Sequence, residues 1–355
     1  MIKRKFTKQV MVGNVQIGGG ASIPVQSMTK CKTTKGIVKE IKALEAEGCD
    51  LIRVAIPDFK SVDKIKEIKR QIKIPLIADI HFNHRLAIES IKAGADKIRI
   101  NPGNIGGVPK VKEVVKALKD YGIPMRVGAN SGSLEPDLLK KYGKPTAIAL
   151  SESICRWVKI IEDMEYDKMV LSVKSSDPII TIEAYRIIAK KLNYPLHLGV
   201  TAVSLGLGGM VKSVIGIGSL LADGIGDTIR VSLTGKSIDE VRLGNEILKS
   251  LGLRDGEVQI IACPTCGRCG INVESLVKEV EAGLNSLALT KSGLRIAVMG
   301  CVVNGPGEAR DVDFGITGSG NIGVIFKKGE IIKKVPKDKI VATLLEEIKK
   351  YFKTR

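Results

Sequence analysis

The chain has 355 residues, 44% hydrophobic and 26% charged, with a formal net charge of +18 at pH 7. That length suits two domains and that balance an ordinary globular protein. No run of about 18 apolar residues occurs, which excludes a transmembrane helix. The positive charge is spread over amphipathic segments such as 59–72 and 110–120. It is not gathered between exposed aromatics, so an anionic substrate or an acidic protein is the expected partner rather than nucleic acid. The first residues, MIKRKFTKQVMVG, lack the apolar stretch of a secretory signal. A reducing cytoplasm is therefore expected, where seven cysteines favour metal or redox roles over disulfides.

Residues 6–20 read as a small hairpin that closes the bottom of a barrel. Short apolar, β-branched runs then occur at 25–28, 51–56, 75–80, 97–100, 124–128, 168–173, 195–200 and 228–233, most of them separated by helical periodicity. Strand–helix alternation repeated eight times predicts a (β/α)8 TIM barrel over residues 1–253. A doubly wound sheet fits less well, because no Gly-rich dinucleotide fingerprint follows the first strand. The pattern changes after Gly252. A strand at 257–262, a helix at 272–283, a strand at 294–299, two more strands and a final helix at 336–352 predict a small α+β domain over 254–355.

In such barrels the active site lies at the C-terminal ends of the strands. Those ends carry Arg53, Asp79 with His81, Arg99 with Asn101, Arg126 with Asn130, Lys174, His197 with Thr201, and Arg230 with Ser232. One charged strand end means little. Four arginines and a lysine on five strands, aimed at one mouth, predict a phosphate- or diphosphate-bearing substrate, whose oxygens suit guanidinium forks. His84 reads as surface and His197 as a satisfied core histidine. No HExxH-type spacing appears, which argues against a zinc site on the histidines.

Cys263 and Cys266 form a C-x-x-C at one strand end, and Cys301 follows another strand in GCVVNGPGEA. Thiolates from two loops of one small domain can surround a metal centre. Cys31, Cys49 and Cys155 lie far from these along the chain and read as structural or incidental.

The strings PVQSMT (24–29), ADIHF (78–82), KIRINPGNIG (97–106), RVGANSGSLE (126–135), PLHLGVT (195–201), IGDTIRVSL (225–233), CPTCGR (263–268) and GCVVNGPGEAR (300–310) occur in that order. Over essentially the whole chain they resemble the bacterial 4-hydroxy-3-methylbut-2-enyl diphosphate synthases of the non-mevalonate isoprenoid pathway. The resemblance implies reductive ring opening and dehydration of 2-C-methyl-D-erythritol 2,4-cyclodiphosphate. It implies a 4Fe–4S cluster held by Cys263, Cys266, Cys301 and Glu308, with electrons from reduced ferredoxin or flavodoxin. It also implies a head-to-tail homodimer in which one subunit's cluster domain closes over the other's barrel. Arg53, Arg99, Asn101, Arg126, Asn130, Lys174, Arg230 and Ser232 are then the substrate-binding candidates, and Asp79, His81, Thr201 and Glu308 the catalytic ones.

The chain departs from the family at several points. Where the family has Gly-Val-Thr-Glu-Ala-Gly, it reads Gly199-Val200-Thr201-Ala202-Val203-Ser204, so a carboxylate that faces the substrate in the family is Ala202 here. Lys30-Cys31-Lys32-Thr33 stands for Asn-Thr-x-Thr, and Asn83-His84 for Asp-Tyr. Cys269 extends CPTC to CPTCGRC, which opens a second ligand set, Cys263, Cys266, Cys269 and Cys301, with Glu308 spare. The alternatives to the parent reaction are a related iron–sulfur reduction of another diphosphate and a non-catalytic cluster-binding or electron-transfer relative.

Overall fold

The structure is a computed structural model, and it describes residues 2–201, 206–254, 258–290, 292–301 and 310–353. The chain divides into two compact units, Met1–Leu253 and Arg254–Arg355.

The first unit opens with an antiparallel hairpin, β1 (Val10–Val12) and β2 (Val15–Ile17). Strand–helix units follow: β3 (Gln26–Met28), α1 (Thr34–Ala46), β4 (Leu51–Ala55), α2 (Phe59–Lys69), β5 (Leu76–Asp79), α3 (His84–Lys92), β6 (Lys97–Ile100), α4 (Val108–Tyr121) and β7 (Met125–Asn130). Two helices, α5 (Pro136–Tyr142) and α6 (Ala147–Glu162), precede β8 (Met169–Lys174). Then come α7 (Pro178–Lys191), β9 (His197–Leu198), α8 (Gly206–Ala222), β10 (Thr228–Ile229) and α9 (Ser237–Ser250). Strands β3 to β8 form one parallel sheet in sequence order, and β9 pairs in parallel with β10. Isolated parallel bridges, Leu171 to Leu196 and Val25 to Ile229, join β8 to the β9 segment and β10 to the β3 segment. Among the described residues the eight strands thus close into a barrel.

The helices form where the sequence offers both a cap and an apolar stripe. The side chains of Thr33, Asp58, Asn83 and Asp177 accept N–H groups at the starts of α1, α2, α3 and α7. Ile37, Val38, Ile41 and Leu44 line the buried face of α1, and the other helices pack likewise against the outside of the sheet. Each such side chain contributes about 1.5–3 kcal/mol when fully buried. The hairpin plugs one end of the barrel: Val10, Val12 and Ile17 pack on Leu51, Ile77 and Val170, which lie at or near the starts of β4, β5 and β8. The opposite end is the mouth.

The second unit has a five-stranded sheet in the order β11 (Gln259–Ala262), β12 (Arg295–Met299), β13 (Phe314–Ser319), β14 (Ile322–Lys327), β15 (Glu330–Pro336). Strands β11, β12 and β13 are parallel, and the last two are antiparallel additions. Helices α10 (Val273–Ser286) and α11 (Ile340–Lys353) share a core with the sheet through Val280, Leu284, Ile296, Ile316, Leu344 and Ile348. Three strands follow β12, not the two expected. The turns at Gly320 (φ +59°) and at Lys328-Gly329 (φ +49° and +82°) are too short to stand out between apolar runs, so two hairpins read as one strand pair.

Candidate active site and cluster site

Register decides which side chains enter the barrel. Arg53 pairs with Ile77 and Ile77 with Lys97, while Asp79 pairs with Arg99 and Arg99 with Arg126. Paired residues of a parallel sheet point to the same face. Ile77 belongs to the inner plug, so Arg53, Asp79, Lys97, Arg99 and Arg126 all point inward.

Asp79 is the hub. Arg99 Nη1 donates to its Oδ1 at 3.0 Å, and Arg53 Nε lies 3.6 Å from its Oδ2. Burial alone would raise the Asp79 carboxyl, but Arg53, Arg99 and Arg126 outweigh it and hold the group well below the usual carboxylate range. Arg99 Nη1 also approaches His81 Nε2 at 2.9 Å, a bond His81 accepts in the tautomer that leaves Nε2 bare. Arg53 donates from Nε and Nη2 to Met28 Sδ at 3.2 and 2.9 Å. Its pKa is pushed down to about 9, by burial first, with Asp79 opposing and Arg230 and Arg99 adding to the shift.

Of the remaining cations at the mouth, Arg230 has a carboxylate partner, while Arg126 and Lys174 have none among the described residues. Arg126 is 1% exposed, and its Nε and Nη1 have no partner among the described residues. Lys174, buried at the end of β8, is driven well below its ordinary pKa by burial and then by Arg126, Arg230, Arg53 and Arg99. Arg230 Nη2 lies 3.3 Å from Glu240 Oε2. An array of buried, mutually repelling cations is costly until an anion arrives.

Glycines leave room for this array. A Cβ on Gly199 would stand 2.7 Å from both Lys174 Nζ and the Arg230 carbonyl oxygen. Gly199→Ala should therefore displace the Lys174 ammonium. The expected result is a stability loss of about 1–3 kcal/mol, the range for overpacking, with weaker binding of inorganic diphosphate. Melting curves and calorimetry on the same variant check it.

Other expected residues take different places. The Asn101 side chain bonds Ser133 Oγ and the Gly103 N–H, so it shapes the loop after β6. The Thr201 N–H donates to the Ser175 carbonyl at 3.1 Å. Asn130 and Ser232 are half-buried at the ends of their strand segments. His84, at the start of α3, meets Glu113 at 3.3 Å. His197 is a correction. It is wholly buried, as a core histidine is, but neither ring nitrogen has a partner among the described residues. Burial, then Arg126, Lys174, Lys97 and Arg53, lower its pKa well below the ordinary value, so the ring is neutral. Ala202 and Glu308 lie outside the described residues.

Sequence reading missed Lys97, Gln26 and Glu240. Lys97 is 0% exposed with an unpartnered Nζ, and both polar atoms of the Gln26 side chain are likewise orphaned. The available signal was spacing: Lys97 and Arg99 stand two apart on one strand and so share a face.

In the second unit, Cys263 follows β11 and Cys301 follows β12, and these strands are adjacent and parallel. Both cysteines consequently emerge at the same end of the sheet. Cys263, Pro264, Thr265, Cys266, Arg268, Met299, Gly300 and Cys301 line a concavity of ≈ 170 Å³. Thr265 sits at φ +59°, a strained conformation for a β-branched residue, and the chain bends there between the two cysteines. The Arg268 backbone N–H, then its side chain, lower the Cys266 thiol. Among the described residues no three His, Cys, Asp or Glu side chains converge on a single metal ion. Thiols spaced along two loops can each take one iron of a polynuclear iron–sulfur cluster. Cys269 faces elsewhere: its thiol donates to the Ile271 carbonyl at 3.1 Å and packs on the domain core.

Residues 7–245 match the family model described as the GcpE TIM-barrel domain, and residues 259–350 match the GcpE protein C-terminal domain. The chain belongs to the GcpE family. Curated relatives of this GcpE chain are similar along their whole length. One from Thermodesulfovibrio yellowstonii is 51% identical over 99% of this chain and 100% of its own. One from Caldanaerobacter subterraneus subsp. tengcongensis is 53% identical over 99% of each. One from Clostridium perfringens is 51% identical over 98% of this chain and 99% of its own. All three are named 4-hydroxy-3-methylbut-2-en-1-yl diphosphate synthase (flavodoxin).

Proposed function

We propose that this GcpE chain is an oxidoreductase of the non-mevalonate isoprenoid pathway, and that it converts 2-C-methyl-D-erythritol 2,4-cyclodiphosphate to 4-hydroxy-3-methylbut-2-enyl diphosphate. Two electrons and one proton enter, a ring carbon–oxygen bond to phosphate breaks and leaves the freed phosphate oxygen negatively charged, the neighbouring hydroxyl takes the proton and leaves as water, and a carbon–carbon double bond forms. The observation that carries this reading is the barrel interior. Arg53, Lys97, Arg99, Arg126 and Lys174 are buried there with one inward carboxylate, Asp79, among the described residues. A diphosphate supplies the missing negative charge.

Arg126 and Lys174, cations at the mouth end without a carboxylate, take phosphate oxygens, while Asp79 holds the forks of Arg53 and Arg99 in place. Ring opening frees a phosphate oxygen and adds charge to the diphosphate. Fixed cations stabilise that added charge without reorganising, so they favour the opening ring over the closed one. A carboxylate as strongly committed to arginines as Asp79 orients its neighbours and is a poor proton carrier. His81, more exposed and hydrogen-bonded to Arg99, is a better candidate acid or base, with Thr201 as the other candidate.

Cys263, Cys266 and Cys301, with Glu308, would hold a 4Fe–4S cluster, which when bound supplies the electrons one at a time. The relatives' names support flavodoxin as the donor, with ferredoxin as its counterpart. Among the described residues no helix is long and apolar enough to cross a membrane. We place the enzyme in the cytoplasm, as a head-to-tail homodimer that brings one subunit's cluster to the other's barrel. A non-catalytic cluster carrier has no use for buried phosphate-binding cations.

The test is anaerobic turnover of the cyclic diphosphate by reconstituted protein with a strong one-electron reductant. No allylic diphosphate product would overturn the assignment. The same assay reads the departure at position 202. A group that transfers a proton contributes roughly 10²–10⁴-fold in rate. Ala202→Glu should raise turnover far more than it changes affinity. An unchanged or lower rate would mean that another group already carries the proton, or that the substrate differs.

A further inference from the structure

Among the described residues the barrel closes between β10 and β3 through one isolated bridge, Val25 to Ile229. Two carboxylates span the mouth end of that seam. Glu40, on α1, accepts the N–H groups of Lys30 and Cys31 at 2.9 and 3.0 Å and the Ser237 hydroxyl at 2.9 Å. Glu240, in the first turn of α9, is 1% exposed. Its Oε1 accepts the Leu233 N–H at 3.0 Å and lies 3.3 Å from Lys30 Nζ, and its Oε2 lies 3.3 Å from Arg230 Nη2.

We propose that Glu240 is a positioning residue for the reaction, holding Arg230 at the diphosphate site against the repulsion of Arg53 and Lys174. The proposal rests on the diphosphate reading of the barrel mouth. Arg230 is close enough to both cations to depress their protonation. Without a counter-charge its long side chain would relax away from them toward solvent. Glu240 prevents this from a rigid base, because it is mounted on a helix and tied to the Leu233 backbone and to Lys30. A guanidinium carries five N–H donors. Glu240 engages one edge through Nη2, and Arg230 Nε has no partner among the described residues, so donors remain for a phosphate oxygen. The Lys30 contact also ties the loop after β3 to that after β10, across the weakly bridged seam.

Calorimetry of the full-length protein with inorganic diphosphate as the probe tests this. Glu240→Gln keeps the shape and an acceptor for Leu233 but removes the charge, and it should weaken binding about tenfold. In an Arg230→Ala background the same change should cost less than about twofold, because the two residues act as one unit. Unchanged or tighter binding by Glu240→Gln would overturn the proposal, as would an equal loss without Arg230, which would mark a purely structural role. Melting curves on each variant accompany the titrations. Where Glu240→Gln fails to fold, Glu240→Asp keeps the charge but withdraws it by one methylene, and its smaller loss should again require Arg230. Failure of the underlying reading looks different: the unaltered protein would show no specific diphosphate binding, or Arg126→Ala would bind diphosphate as well as the unaltered protein does, and the proposal falls with it.

Discussion

Cys301→Ser is expected to abolish most of the iron–sulfur absorbance of the anaerobically reconstituted protein, and turnover with it, while Cys269→Ser leaves both nearly unchanged. The geometry separates the two thiols. Cys301 lines the same concavity as Cys263 and Cys266 at the ends of two adjacent parallel strands. Cys269 is bonded to the Ile271 carbonyl and lies so close over Gly300 that a Cβ there would stand 2.5 Å from its sulfur. Turning it into the concavity would break that bond and pull it from the core. A serine at position 301 offers a hard alkoxide or neutral hydroxyl in place of a soft thiolate, a poor exchange for an iron–sulfur cluster. Iron and sulfide content, with the visible spectrum, measure the outcome. Glu308→Ala should impair turnover and cluster stability. The reverse pattern, with Cys269 essential and Glu308 dispensable, would describe an all-thiolate cluster suited to electron transfer alone. Stoichiometric zinc without iron or sulfide would mean that no such cluster forms.

Arg126→Ala should weaken diphosphate binding by about 1.5–3 kcal/mol, the range for hydrogen bonds to charged groups, or roughly 10- to 150-fold. Arg126 is the largest of the fully buried side chains, and it has no carboxylate partner among the described residues. Burial, then Arg53 and Arg99, depress its pKa. Its removal relieves repulsion in the ligand-free protein, so the variant should melt no lower than expected for the cavity it leaves, while affinity falls. That opposition separates a binding cation from a structural one. Calorimetry with the cyclic diphosphate reads affinity, and normal binding by both Arg126→Ala and Lys174→Ala would move the substrate out of the barrel mouth.

The barrel strands were legible because a parallel strand is buried on both faces and so reads as an unbroken apolar, β-branched run. LIRVA at 51–55 and MVLSVK at 169–174 stand out for that reason. The strand-end cations were legible because charge inside such a run is conspicuous. The pair β14 and β15 was harder, since a lysine-rich edge strand behind a two-residue turn resembles a loop.

The amino-acid sequence by itself therefore determined the (β/α)8 architecture, the small second domain, the cationic mouth and the family, since all of these follow from local periodicity and from residue types in order along the chain. Tertiary structure alone decided depth and partnership. Lys97 and Gln26 lie beneath the mouth, Glu240 reaches Arg230 and Lys30 across the barrel seam, and the Cys269 thiol turns toward Ile271 rather than into the concavity of Cys263. Those outcomes depend on strand register and on how the barrel closes, which bring together residues up to 210 positions apart, as Lys30 and Glu240 are. No local pattern encodes such a pairing, because its energy exists only once the seam has formed.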